Sequence, residues 1–258
     1  MTVGLTANDP HTNENGLWVI GRREFARDYF DYQDGDHVLF GGPTRRGKSS
    51  LAFCLLGYVA SPELPAYVAV SKPTDPVSQK EGSRLGFRRV HDWPVSPHIS
   101  QLWNGKPRGY LVWPRFGDME NDVDNCGTIT RRLLEERYSA GAKGEHAILV
   151  MDDTVTKSRL MKLDKPMLTH LAMSGAMGVG IWVFVQKPTG SGEAALWSYG
   201  AAEHVFLTRD PDRKNQLRYD EIGGFDPRAV TRAVNSLQPY EFLYLKRTER
   251  YMCIIGAK

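Results

Sequence analysis

The chain is 258 residues long, with 41% hydrophobic and 24% charged residues. Those values exclude a largely disordered polymer and supply enough chain for one large α/β domain with a sizeable core. A net charge of +3 permits a polyanionic partner without demanding one, so any case for nucleic acid must rest on local clusters.

Residues 1–16 are polar and read as a flexible tail that lacks the apolar core of a signal peptide. The longest apolar run, 51–60, is too short to span a bilayer, so the expectation is a soluble, cytoplasmic protein. Residues 17–258 then form a single domain that ends in a hairpin. Cys54, Cys126 and Cys253 lie far apart without a C-x-x-C pair, which suggests neither a disulfide framework nor a zinc site.

Residues 17–20 read as a strand and 22–32 as a short charged and aromatic helix. A short buried strand follows over 36–40, and an apolar helix over 51–60. Between them, Gly42, Pro43, Thr44, Arg45, Arg46, Gly47, Lys48 and Ser49 fit the pattern G-x-x-x-x-G-K-[ST], with Ser50 next in line. Strand, glycine loop and helix aim a helix N-terminus and a set of backbone N–H groups at phosphate oxygens. The pattern points to ATP with Mg²⁺: Lys48 reaches the outer phosphates and the Ser49 hydroxyl helps to hold the metal. Tyr29 and Tyr32 either pack on the surface or stack on the base.

Residues 66–71 read as the next strand, closed by two prolines at 73 and 76. The segment 84–91 is the densest basic cluster, with Arg84, Arg88 and Arg89, followed by Trp93, Trp103, Lys106 and Arg108. Two readings stand there: contact with a nucleic-acid backbone with some stacking, or a solvated turn over a small apolar cluster. After a strand over 109–114, Asp118, Glu120, Asp122 and Asp124 either hold a metal or favour the positive end of a helix, and 129–138 has the spacing of an amphipathic helix.

Residues 146–151 form an apolar strand capped by Asp152 and Asp153. With the phosphate loop this is a Walker B arrangement, in which Asp152 holds the Mg²⁺ shell and Asp153 polarises the attacking water. A helix over 163–177 leads to the buried strand 178–185, which ends in Gln186, placed to touch the γ-phosphate or its water. A loop at 190–192, a helix over 194–202, a strand over 203–208 and a broken helix over 214–236 precede the hairpin 241–246 and 251–255.

Two strands between the motif strands in sequence suggest a further strand inserted between them in the sheet. This layout belongs to the additional-strand, RecA-like P-loop NTPases, with a central mostly parallel sheet flanked by helices. The segments 42–49, 149–153 and 178–188 resemble the FtsK/HerA superfamily of ring-forming, DNA-pumping ATPases. The resemblance spans roughly residues 35–225. It implies ATP hydrolysis at the interfaces of a homo-oligomeric ring (pentamer or hexamer), with double-stranded DNA as substrate. A portal, capsid or membrane channel protein is the implied docking partner.

Three departures stand out. Asp153 replaces the usual glutamate, with Glu120 or Asp118 as remote substitutes. Gly175 stands where the family often carries an arginine, leaving Arg159, Arg209, Arg213 or Lys187 as finger candidates. The compact length matches the packaging ATPases of double-stranded DNA viruses, or a motor domain from a mobile element, better than the large chromosome translocases.

Overall fold

The structure is a computed structural model that describes residues 12–101, 105–187 and 192–257. Most of the expected tail lies outside those residues, as do Trp103, Pro188, Gly190 and Ser191. Within the tail's last residues, Asn13 Oδ1 accepts from the N–H groups of Asn15 and Leu17, closing a turn ahead of the first strand.

Among the described residues ten strands form one sheet: β1 (Val19–Ile20), β2 (Val38–Gly41), β3 (Ala66–Ala69), β4 (Arg88–Val90), β5 (Gly109–Val112), β6 (Ala147–Met151), β7 (Val179–Val185), β8 (His204–Leu207), β9 (Phe242–Lys246) and β10 (Tyr251–Ile255). Their order is β1-β10-β9-β8-β2-β7-β6-β3-β5-β4. The run from β8 to β4 is parallel, and β9 joins it antiparallel to β8. Every residue of β6 and β7 is buried. Such continuous apolar runs are what a parallel sheet covered on both faces requires.

The α-helices that precede β8 in the chain are α1 (Arg22–Glu24), α2 (Lys48–Val59), α3 (Pro76–Arg84), α4 (Pro97–Gln101), α5 (Met119–Gly141), α6 (Asp164–Thr169) and α7 (Glu193–Ala201). Alternation along the strands divides the core into two layers. Leu39, Leu149, Ile181, Val183 and Val205 face one side, toward α5 and α7. Phe40, Val150, Trp182, Phe184 and Phe206 face the other, toward α2. Phe40 stacks on Phe184 at 4.7 Å and on Phe206 at 5.0 Å, a ladder of rings across β7, β2 and β8.

The inserted strand expected between the two motif strands is present, and it is β7. It pairs with β2 on one side and β6 on the other, while β3 and β5 lie beyond β6. The basic cluster 84–91 corrects the sequence reading. It is the end of α3 (Pro76–Arg84), a glycine turn at Gly86 and the edge strand β4. A three-residue strand that exposes two arginines blunts an edge against further pairing. Helix α3 also begins at the second of the two prolines expected to end regular structure. Pro76 occupies its first turn, and the Asp75 carboxylate accepts from Val77 N and Ser78 N at 3.1 Å each.

The acidic residues at 118–124 open α5, and the Asp122 carboxylate accepts from the Gly117 and Asp118 N–H groups. Among the described residues no helix is long and apolar enough to cross a membrane.

Candidate active site

Gly42 leaves β2 at φ +122°. Its N–H donates to the Val185 carbonyl at 2.9 Å, and the Thr208 N–H donates to the Gly41 carbonyl at 3.0 Å. The loop is therefore pinned between the ends of β7 and β8. Arg45 and Gly47 also take left-handed backbone angles, at φ +59° and +85°, which turns the chain into α2. The first intrahelical bond of that helix runs from Leu51 N to Gly47 O, so the N–H groups of Lys48, Ser49 and Ser50 point out of its N-terminus. Pro43 and Gly47 are half-buried, and Thr44 and Arg45 are exposed at the loop's outer turn beside the half-buried Arg46.

The Lys48 side chain lies within this loop. Its ammonium donates to the carbonyls of Gly42 and Pro43 at 2.6 and 2.5 Å. Burial lowers its pKa to about 8, and the nearby Lys72 adds to the effect. Asp210, Asp152 and Asp153 pull in the opposite direction.

Met151, the last residue of β6, pairs with Ala69 and Val183, which puts Asp152 at the same sheet edge as the phosphate loop. Asp152 is only 7% exposed, and burial raises its carboxyl pKa against the opposing pull of Lys157 and Lys72. Its Oδ1 lies 3.5 Å from Lys72 Nζ. Its Oδ2 is buried and has no hydrogen-bond partner. An orphaned carboxylate oxygen is costly in a closed core, and a hard divalent cation would satisfy it. With the half-buried Ser49 hydroxyl in the first turn of α2, the donors present are oxygens, the chemistry that suits Mg²⁺.

Asp153 adopts φ +49°, a left-handed angle rare for a residue with a side chain. Its Oδ1 accepts from Thr156 N at 3.4 Å, which starts the helical turn that follows. Gln186 is the first residue after β7, next to the carbonyl that holds Gly42, and it is half-buried. The structure thus brings Gly42, Lys48, Asp152 and Gln186 to one edge, over the adjacent strands β2, β7 and β6.

Solved structures share this architecture. The genome packaging NTPase B204 from Sulfolobus turreted icosahedral virus 2, in complex with ATP-gammaS, has a TM-score of 0.57 at 14% identity; the match covers 88% of this chain and 100% of that one. The cytoplasmic domain of the type VII secretion ATPase EccC from Thermomonospora curvata has a TM-score of 0.53 at 16% identity, covering 90% of this chain and 26% of that one. The pCW3 conjugation coupling protein TcpA with ATPgS has a TM-score of 0.52 at 13% identity, covering 91% of this chain and 62% of that one. This is a RecA-like P-loop NTPase fold. No family model and no curated protein matches the chain.

Within the P-loop fold, the finger candidates Arg159, Arg209, Arg213 and Lys187 are all exposed. Gly175 lies at the far end of the sheet, where an added Cβ would stand 3.1 Å from the Gly35 carbonyl and 3.3 Å from His37 Nε2. A larger side chain has little room there. Tyr32 is half-buried on that same underside, 5.6 Å from Trp182, and Tyr29 packs edge-on against Trp18. The packing reading holds for both rings.

Arg88 is exposed on β4, and the other two arginines of the basic cluster separate. Arg84 pairs with Glu81 at 2.7 Å and lines a cavity of about 1140 Å³ with Arg22, Arg23, Lys80 and Arg108. Arg89 lies over the Trp113 ring at 4.2 Å and lines a different cavity of about 570 Å³ with His91, Arg115 and Arg132.

Three side chains at the P-loop edge were missed. Lys72 follows β3 and faces Asp152. Thr208 follows β8, and a Cβ on Gly42 would run into its Oγ1. Lys157 is fully buried; it donates to the Asp152 main-chain carbonyl and to Ser71 Oγ at 3.0 Å, which ties the ends of β6 and β3. Burial lowers its pKa. Lys72 had a signal in the sequence, a cation just past an apolar strand. Lys157 had none, because a lysine in a polar turn reads as exposed.

Proposed function

We propose that this protein is an ATP-hydrolysing motor of the FtsK/HerA superfamily that moves double-stranded DNA, with viral genome packaging as its setting. The observation that carries the reading is the placement of Gly42, Asp152 and Gln186 at the ends of three adjacent parallel strands, β2, β7 and β6. The likeness in fold to a packaging NTPase matched over its whole length supports the same reading.

In this reading the N–H groups of the loop and of the first turn of α2 hold the phosphates. Lys48 leaves the Gly42 and Pro43 carbonyls for phosphate oxygens, a charge-assisted exchange. Ser49 and Asp152 hold Mg²⁺, which when bound neutralises charge on the outer phosphates. Asp153 orients the attacking water, and Gln186 senses the γ-phosphate. Lys72, 3.5 Å from Asp152 and close to Lys48, supplies a second cation from the same chain. Its presence makes the small residue at Gly175 less puzzling, since transition-state charge can be met in cis.

A ring of copies with ATP at each interface, docked on a portal, capsid or channel protein, completes the proposal. Arg84, Arg88 and Arg89 remain the proposed DNA contacts, with Arg84 and Arg89 on two different basic surfaces. Conjugative DNA transfer is the neighbouring alternative within the family, and the coupling protein TcpA shares the fold. A second reading, a nucleotide-dependent assembly switch with little hydrolysis, draws support from Asp153, whose carboxylate already serves Thr156 N. ATP hydrolysis with and without double-stranded DNA, in the wild type and in Lys48→Ala, separates motor from switch.

A further inference from the structure

We infer that Tyr240 is the platform for the nucleotide base. The inference rests on the nucleotide reading above. Tyr240 precedes β9, whose Leu243 pairs with Leu207 of β8. That register puts the start of β9 beside the end of β8, at the P-loop edge. A Cβ on Gly47 would stand 3.3 Å from Tyr240 Cδ1 and 3.9 Å from Phe242 Cζ, so the tyrosine ring lies against the loop itself. Yet the residue is 54% exposed.

The ring therefore presents an open π-face beside the phosphate loop, where a flat ligand can cover it. The backbone reinforces the point. Tyr240 sits at φ +67°, a left-handed angle that glycine or asparagine would take more readily. Strain of this kind persists where the surroundings fix it, and it clusters at ligand sites. The surroundings do fix it here. Arg22 Nη2 donates to the Tyr240 carbonyl at 2.9 Å, and the same guanidinium lies 5.6 Å over the Phe242 ring. The turn is closed by Glu241 N to Gln238 O at 3.1 Å and by Gln238 N to the Glu241 carboxylate at 2.8 Å.

Direction decides the role. Lys48, Asp152 and Gln186 draw the outer phosphates toward β7 and β6. The nucleoside must then leave the loop on the opposite flank, toward β8 and β9, where Tyr240 stands. A tyrosine ring offers a purine an apolar π-face, and stacking tolerates either purine, so Tyr240 supplies affinity rather than a choice between them.

The test compares binding of Mg-ATP and of magnesium tripolyphosphate, by calorimetry on the full chain. Tyr240→Gly suits the backbone angle and removes only the ring, and Tyr240→Trp keeps a π-face. We expect Tyr240→Gly to weaken ATP binding roughly tenfold or more while tripolyphosphate binding is unchanged, and Tyr240→Trp to hold ATP as the wild type does. Wild-type affinity for ATP in Tyr240→Gly would overturn the inference. Equal loss of both ligands would also overturn it, because the ring would then serve the loop alone. A wild-type protein that binds neither ligand would sink the nucleotide reading, and this inference with it.

Discussion

Thr208 Oγ1 occupies the space in which a side chain on Gly42 would begin. The hydroxyl is itself buried without a hydrogen-bond partner, so it acts here as a wall. Gly42→Ala therefore meets two obstacles, the wall and a backbone angle of φ +122°. We expect a loss of about 2 kcal/mol in stability, read by denaturant unfolding. Adding Thr208→Ala should recover only part of it, since the second mutation opens space but leaves the angle. Full recovery would mean that the angle costs nothing.

Lys72 and Asp152 give a second expectation. Lys72 is half-exposed and makes its ion pair at 3.5 Å, so its removal should leave the fold intact. Lys72→Ala should bind ATP within a few-fold of the wild type and hydrolyse it about 10²-fold more slowly, with partial recovery in Lys72→Arg. Single-turnover hydrolysis against nucleotide binding separates the two effects. An unchanged rate would leave Lys72 as a surface cation only.

His37 contributes to the loss of stability in acid. It is buried at the start of β2, where its Nδ1 accepts from Ile181 N at 3.1 Å. Burial, helped by His170, lowers its pKa from 6.5 to about 4. The unfolded chain therefore binds this proton between pH 6.5 and 4 while the folded chain does not. Stability should be undiminished above that window and fall through it as the pH drops, by an amount on the order of 3 kcal/mol. Unfolding at pH 7, 5.5 and 4.5 reads the slope, and His37→Asn should reduce it, with the part owed to the buried His170 remaining.

Much of this was legible in the residues themselves. The apolar runs at β2, β6 and β7 are so continuous that only a doubly covered sheet accommodates them, and the glycine loop and the acids after β6 sit at strand ends by spacing alone. What was hidden is long-range. β4 carries two exposed arginines and one buried valine, a pattern with no strand signal until β5 is alongside. Lys157 becomes a core residue only because the ends of β3 and β6 converge on its ammonium. Tyr240 meets Gly47 across 193 residues of chain (240 − 47), a contact created by the antiparallel return of β9 beside β8.

In the proposed motor, ATP hydrolysis drives movement of DNA. The direct measurement is the steady-state ATPase rate of the assembled wild-type protein with and without double-stranded DNA, beside Lys48→Ala. We expect duplex DNA to raise the wild-type rate severalfold and Lys48→Ala to abolish hydrolysis in both conditions. A wild-type rate indifferent to DNA in the assembled protein, or full activity without Lys48, would contradict the motor.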